Sequence, residues 1–329
     1  MSQTRYKVSV ITPFYNREKL IVKCAHRLLA QTLDSIEFIF INDGSNDEST
    51  TRLKEYINTS SRKNDVRILD LESNTGVSNA RQIGMHTAKG EYIIHCDSDD
   101  YFEPDAFELM YTTAHKNDVD FVVCGCKIVS NNETSDFIHP TDCSSSNRNY
   151  ALKSTISMAT LWSHMVRRSF IECYNIYPFA GINNLEDLLC VIRFYYFAKD
   201  WSYIHKPLYV YNRTGGDCIT KNIGMKTALQ MKEAYDIVDY WNTKWDLQLG
   251  EQILKMKIFI RECMLSASDF DKKIWMSTYP EVRDLEKKAK SKFNIIHFWS
   301  YCLAINYGVI WPYKLLSNLV NYLKKATTT

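Results

Sequence analysis

The chain has little net charge and none of the short motifs that most quickly betray a protein's chemistry. Its 40 lysines and arginines nearly balance 38 aspartates and glutamates, for a net charge of +2. That balance sets up no strong field for nucleic acid, and no basic stripe with interleaved aromatics is present. Ten cysteines are scattered, mostly inside apolar runs such as those around Cys24, Cys96, Cys190 and Cys302, with Cys124 and Cys126 separated by one glycine. No CxxC pair occurs, which argues against zinc and for buried free thiols in a reducing compartment. The N-terminal MSQTRYKVSV lacks the apolar core of a signal peptide and enters a strand at once, so a cytoplasmic location is expected. No G-x-G-x-x-G follows the first apolar run, and no G-x-x-x-x-G-K-[ST] exists anywhere. Glycine-loop cradles for phosphate are therefore excluded, and a bound phosphate must be held by metal and side chains.

What is present is the composition of an ordinary globular protein: 329 residues, 45% hydrophobic and 24% charged, long enough for a larger α/β domain with an appended lobe. Val8 to Thr12 reads as a strand, followed by the loop Pro13 to Asn16, with Asn16 capping a helix to about Gln31. Ile36 to Asn42 is a second strand, apolar enough to be covered on both faces. Asp43-Gly44-Ser45 is its loop, and Ser45 with Glu48 predicts a capping box for a helix through Tyr56. Val66 to Leu71, Asn74-Thr75-Gly76 and Val77 to Thr87 repeat the pattern. Strand, loop and helix in series predict a doubly wound, mostly parallel sheet with all loops at one edge.

The fourth unit is the most informative. GEYIIHCDSDDYFEPD, from Gly90 to Asp105, runs an apolar strand straight into Asp97, Ser98, Asp99 and Asp100, at the strand end where open α/β sheets bind ligands. Asp97 and Asp99 offer two hard oxygen ligands suited to Mg²⁺ or Mn²⁺ on a diphosphate. The plainer alternative is a solvated turn capping the next helix, with Glu103 at the N-cap and Pro104 at the first helical position.

The runs VSVITPFYN, IFINDGSNDEST and NTGVSNARQIGMHTAKGEYIIHCDSDDYFEPD resemble the family 2 glycosyltransferases of the GT-A fold, closely over residues 7–125 and more loosely to about 220. The resemblance implies a Rossmann-like nucleotide-binding half over 1–125, an acceptor half over 126–220 and a helical C-terminal region over 221–329. It implies that Asp43 accepts the N3–H of a uracil ring, that Tyr15 packs on that base, and that the backbone at Thr12 and Pro13 lines the pocket. Arg81 is implied near the base or diphosphate, Asp97 at the ribose or metal, and Asp99 on the metal, Mn²⁺ or Mg²⁺. A carboxylate only accepts, so Asp43 can select a base edge that donates.

Beyond a polar, serine-rich stretch at 127–150, which reads as a mobile connection, LWSHMVRRSF resembles the segment that opens the family's acceptor half. Ser163 and His164 depart from its common form, and His164 is expected to be structural. Asn184-Leu185-Glu186-Asp187 matches the family's acidic pair. The resemblance makes Asp187 the general base, with Glu186 as fallback, although acids at a helix start also suit the dipole. One base opposite the leaving group implies single displacement with inversion. Arg213 either reaches a phosphate from the loop after Tyr209-Val210-Tyr211-Asn212 or faces solvent. No Q-x-x-R-W occurs, so the likeness is not to processive synthases.

From Lys221 on, periodic apolar residues predict helices. Lys287, Lys288, Lys290 and Lys292 precede Phe298, Trp299 and Tyr301, a composition that suits either an interfacial anchor at the inner leaflet or a helical pair packing on the catalytic lobe. The expected function is metal-dependent, inverting transfer from a nucleotide sugar, a UDP-sugar, to a glycan or lipid-linked acceptor in surface polysaccharide or glycolipid synthesis. The rivals are a nucleotide-sugar binding protein without turnover and a membrane-associated scaffold; intact Asp43, Asp97 and Asp99 speak against the second.

Overall fold

Each apolar run that stops at a polar loop becomes a strand, and each run with apolar residues at helical spacing packs against it. In chain order these are β1 (Val8–Phe14), α1 (Ile21–Leu29), β2 (Ile36–Asn42), α2 (Ser49–Thr59), β3 (Val66–Asp70), α3 (Val77–Thr87) and β4 (Tyr92–His95). β1 and β2 are buried along their whole length, as strands covered on both faces must be. α1 buries Ile21, Cys24, Ala25, Leu28 and Leu29, one stripe of a 3.6-residue period. The computed structural model describes residues 5–130, 134–137, 147–155, 159–213 and 223–283; the basic, aromatic tail that carries the membrane expectation, the serines at 144–146 and the loop after Arg213 lie outside them.

Two helix starts differ from the sequence expectation for one reason. Asn16 has φ 51°, and the N–H groups of Asn16, Arg17 and Glu18 donate to Ser45 Oγ (3.0 Å), Ser49 Oγ (2.7 Å) and Asp47 Oδ2 (3.1 Å). With these donors engaged by the neighbouring loop, the helix waits until Ile21. The Ser45 hydroxyl is thereby used, so no Ser45–Glu48 capping box forms; Asp47 accepts from the Ser49 N–H at 3.0 Å instead.

The chain continues through β5 (Tyr101–Phe102), α4 (Ala106–Asn117), β6 (Phe121–Val129), β7 (Thr134–Phe137), α5 (Arg148–Thr155), β8 (His164–Arg167), α6 (Arg168–Tyr174), α7 (Glu186–Phe197) and β9 (Trp201–Asn212). The N-cap of α4 is Asp105, not Glu103; the Glu103 N–H is drawn to Leu208 O at 2.8 Å. Part of the stretch read as a mobile connection is sheet: Thr134 to Phe137 pair antiparallel with the end of β6, since ladder hydrogen bonds need no apolar side chains.

The described strands form one sheet in the order β3-β2-β1-β4-β8-β6-β9-β5, with β7 on β6. β3, β2, β1 and β4 are all parallel, and β8 joins antiparallel to both β4 and β6. The order reverses between β1 and β4, so the doubly wound half has its switch point there, and the crevice beyond those two strand ends is where such sheets take ligands.

The chain divides into two compact units, Met1–Cys218 and Ile219–Thr329. In the second, α8 (Met225–Trp245), α9 (Gly250–Ser266) and α10 (Lys272–Ser277) are helices, in line with the apolar periodicity. Arg261 is buried beneath the Trp275 ring at 4.6 Å and donates to Trp275 O at 2.8 Å, which satisfies a charge that could not otherwise be buried. Among the described residues no helix is long and apolar enough to cross a membrane.

Candidate active site

β4 ends at His95, and the Cys96 N–H still bonds Ile11 O at 3.0 Å. Asp97 to Asp100 then turn, closed by the Asp100 N–H on Asp97 O at 3.1 Å. The third acid anchors this turn: Asp100 Oδ2 accepts from Tyr209 Oη at 2.6 Å and Oδ1 from the Asn212 N–H at 2.8 Å. Burial, then the charges of Asp97 and Asp99, push its carboxyl up to about 8. Tyr209 is stacked on Trp162, centroids 4.1 Å apart. Asp97 and Asp99 are left as the half-buried members of the run.

Arg81 on α3 gathers three acids. Its Nη2 donates to Asp97 Oδ1 at 2.8 Å, and its Nη1 to Glu186 Oε1 at 2.6 Å and to Asp187 Oδ1. Its side chain is only 5% exposed, so the residue expected at the base or diphosphate is a buried hub. Burial draws the guanidinium down, but the carboxylates, Asp187 foremost, outweigh it and raise it overall. Asp187 Oδ2 also accepts from the Leu161 N–H at 3.0 Å.

Glycine makes this convergence possible at one point. Gly76 precedes α3 with φ +93°, and a Cβ there would lie 2.3 Å from the Asn183 side chain. Asn183 Oδ1 in turn accepts from Ser78 N (3.1 Å) and Ser78 Oγ (2.8 Å). The loop before α7 is thus strapped to the start of α3, bringing Glu186 and Asp187 to Arg81.

The two acids of α7 share one nitrogen in a buried place, so their protons are coupled. Burial first and the Asp187 charge second push Glu186 up to about 8, against the pull of Arg81. Burial also raises Asp187, opposed by Arg81. The folded protein therefore holds a proton on Glu186 that the unfolded chain releases near pH 4.5, and stability from this group falls as pH rises from about 4.5 to about 8. Glu186→Gln cannot titrate. In urea unfolding at pH 5 to 9, its stability relative to wild type is expected to grow through that window and then level; a constant difference would contradict the assignment.

The remaining predicted residues are dispersed along the same edge. Asp43 is buried and accepts from Thr75 N (2.7 Å), Thr75 Oγ1 (2.9 Å) and Gly76 N (2.9 Å). Thr12 and Pro13 are buried at the end of β1, and among the described residues Thr12 Oγ1 has no hydrogen-bond partner. Tyr15 is 39% exposed. Asp99 is raised by burial and then by Asp97, while Arg17 lowers it. Arg213 is exposed with its guanidinium over the Tyr211 ring at 5.0 Å. His164 is buried, its Nδ1 2.8 Å from Ser163 Oγ and from Thr160 O, which is a structural setting. Sequence reasoning missed Asp100, Tyr209, Trp162 and Asn183, all joined by contacts distant in sequence. Asp100 carried a signal as the third acid of the run, and Trp162 and Tyr209 lie in segments the resemblance singled out, but none of them was given a role.

A model of the family described as glycosyl transferase family 2 matches residues 9–174. The putative glycosyltransferase EpsH of Bacillus subtilis is 32% identical over 211 residues, which are 62% of this chain and 60% of EpsH; the chain therefore spans less than two thirds of that relative. Among solved structures, Staphylococcus aureus TarS 1–349 in complex with UDP-GlcNAc aligns with a TM-score of 0.61 at 16% identity, covering 96% of this chain and 92% of that one. Mannosyltransferase PcManGT from Pyrobaculum calidifontis, in complex with GDP-Man and Mn²⁺, aligns at 0.56 and 13% identity, covering 98% and 86%. At such identities the two structures establish a shared fold.

Proposed function

This chain belongs to glycosyl transferase family 2, and from that premise we propose that it transfers one sugar from a nucleotide sugar, a UDP-sugar, to a hydroxyl of a glycan or lipid-linked saccharide, with inversion, in surface polysaccharide or glycolipid synthesis. The observation that carries the reading is the Arg81 hub. It holds Asp97 from the strand-end loop beside Glu186 and Asp187 from the start of α7, so acids suited to the donor and to the acceptor meet in one place.

The acceptor hydroxyl oxygen forms a bond to the anomeric carbon as the bond from that carbon to the phosphate oxygen breaks. The hydroxyl proton passes to Asp187, and the bonding pair leaves with the nucleoside diphosphate. Arg81 and the Leu161 N–H favour the ionised form of Asp187 against the cost of burial, and the proton on Glu186 leaves Asp187 as the base. Three donors already occupy Asp43, but a carboxylate has about four acceptor sites; the last is available to the N3–H of uracil, and Tyr15, exposed in the loop after β1, would pack on the ring.

Asp97 and Asp99 fit a divalent ion, Mn²⁺ or Mg²⁺. Asp97 commits Oδ1 to Arg81, and Asp99 is raised by burial and by its neighbour's charge, a crowding that a cation relieves. Among the described residues no three His, Cys, Asp or Glu side chains converge on such a site, so phosphate oxygens and water would complete the shell, as Mg²⁺ accepts. Bound there, the ion would neutralise charge developing on the leaving diphosphate.

Calorimetric titration of the protein with UDP, GDP, dTDP and CMP, in Mn²⁺ and again in EDTA, tests the proposal. UDP is expected to bind best, and Asp99→Ala or EDTA to weaken it at least about tenfold. If no nucleotide bound in the presence of metal, the transferase reading would be abandoned.

A further inference from the structure

Among the described residues, three arginines that follow strands bear on a phosphate site. Both terminal nitrogens of Arg81 are held by carboxylates, and Arg213 lies on Tyr211. The third, Arg17, follows β1 at the switch point. Among the described residues its guanidinium forms no ion pair or hydrogen bond; only its backbone is engaged.

That backbone is fixed from both sides. Its N–H donates to Ser49 Oγ at 2.7 Å, and its carbonyl accepts from the Leu20 and Ile21 N–H groups, both at 2.9 Å. Asn16 and Glu18 are clamped to Ser45 and Asp47. A loop needing no glycine at Asn16 yet holding φ 51° is over-determined by these bonds. The stem that carries the guanidinium is therefore already placed before any ligand arrives, which lowers the ordering cost of binding.

Arg17 follows β1 and Asp99 follows β4, neighbouring parallel strands whose loops leave the sheet at the same edge, and among the described residues no ion pair joins the two. Acid and base on adjacent loops without an ion pair between them leave the carboxylate to a metal ion and the guanidinium to an anion. A planar fork of donors matches phosphate oxygens.

Resting on the transferase reading, we infer that Arg17 binds a phosphate of the donor's diphosphate, and that Arg81 does not. Wild type, Arg17→Ala and Arg17→Lys would be titrated with UDP by calorimetry and with uridine by ligand-observed NMR, both in Mn²⁺. Arg17→Ala is expected to lose about 10- to 100-fold in UDP affinity, the effect of one charge-assisted hydrogen-bonding group, with uridine binding and thermal midpoint unchanged; Arg17→Lys recovers part of the loss.

UDP affinity of Arg17→Ala within about threefold of wild type would overturn the assignment and leave the transferase reading intact. Equal losses for UDP and uridine would also overturn it, showing that the side chain props the loop. If wild type itself binds no UDP, the transferase reading fails and the role of Arg17 fails with it.

Discussion

Asp187→Asn is expected to lower sugar transfer by about 10²- to 10⁴-fold, the range for loss of a positioned general base, while UDP binding in Mn²⁺ stays near wild type. The substitution also carries a predictable structural cost. Both carboxylate oxygens of Asp187 accept from N–H groups, Oδ1 from Arg81 and Oδ2 from Leu161. An amide must turn its NH₂ toward one of those donors, whichever way it flips. One broken hydrogen bond with a buried donor left over corresponds to about 1–3 kcal/mol. Turnover, UDP affinity and urea stability would be measured on one preparation. Turnover within about fivefold of wild type would remove Asp187 from the role of base and pass it to Glu186, the neighbouring acid.

The second large effect falls on stability. Arg81→Met fills most of the same volume but leaves Asp97, Glu186 and Asp187 facing one another without their cation. Removing one partner of a buried ion network costs about 3–5 kcal/mol, a large part of the total stability of an ordinary domain. The orphaned carboxyls can escape by taking up protons, so the loss should be smaller at pH 5 than at pH 8. Arg81→Lys should rescue little, because a single ammonium cannot reach acids on both Nη1 and Nη2. Urea unfolding of the three proteins at both pH values is the measurement. A loss below about 1 kcal/mol at pH 8, the worth of an exposed pair, would show that Arg81 does not hold the site together.

Much of the first half was legible because its signals are local. β2 and α3 fall on the residues read for them, Ile36 to Asn42 and Val77 to Thr87, since strand periodicity, loop residues and helix periodicity all act over a few positions. The acidic run at Asp97 to Asp100 was legible as a strand-end loop, although a solvated turn capping the next helix fitted the same residues. Helix starts were less legible. Asn16 and Ser45 each carry a cap signal, but they belong to adjacent loops that bond to each other, and the tertiary pairing outbids the local one. The strand Thr134–Phe137 was missed because three of its four residues are polar; its pairing with β6 marks it as sheet.

Arg81 marks the limit. Its sequence context is a polar position on an amphipathic helix, and a solvated arginine or a ligand contact fits that context equally well. What places it under three acids is that Glu186 and Asp187 stand 105 and 106 positions further on and are brought back by the Asn183 strap and by β8 seated beside β4. The same is true of Asp100, turned inward only because Tyr209 and Asn212 wait at the end of β9. The chain by itself determined which residue types are available at each strand end, through short-range pattern and loop chemistry. Only the tertiary structure decided which acid meets which cation, because a buried charge takes whatever counter-charge the fold brings within reach, however far off in sequence.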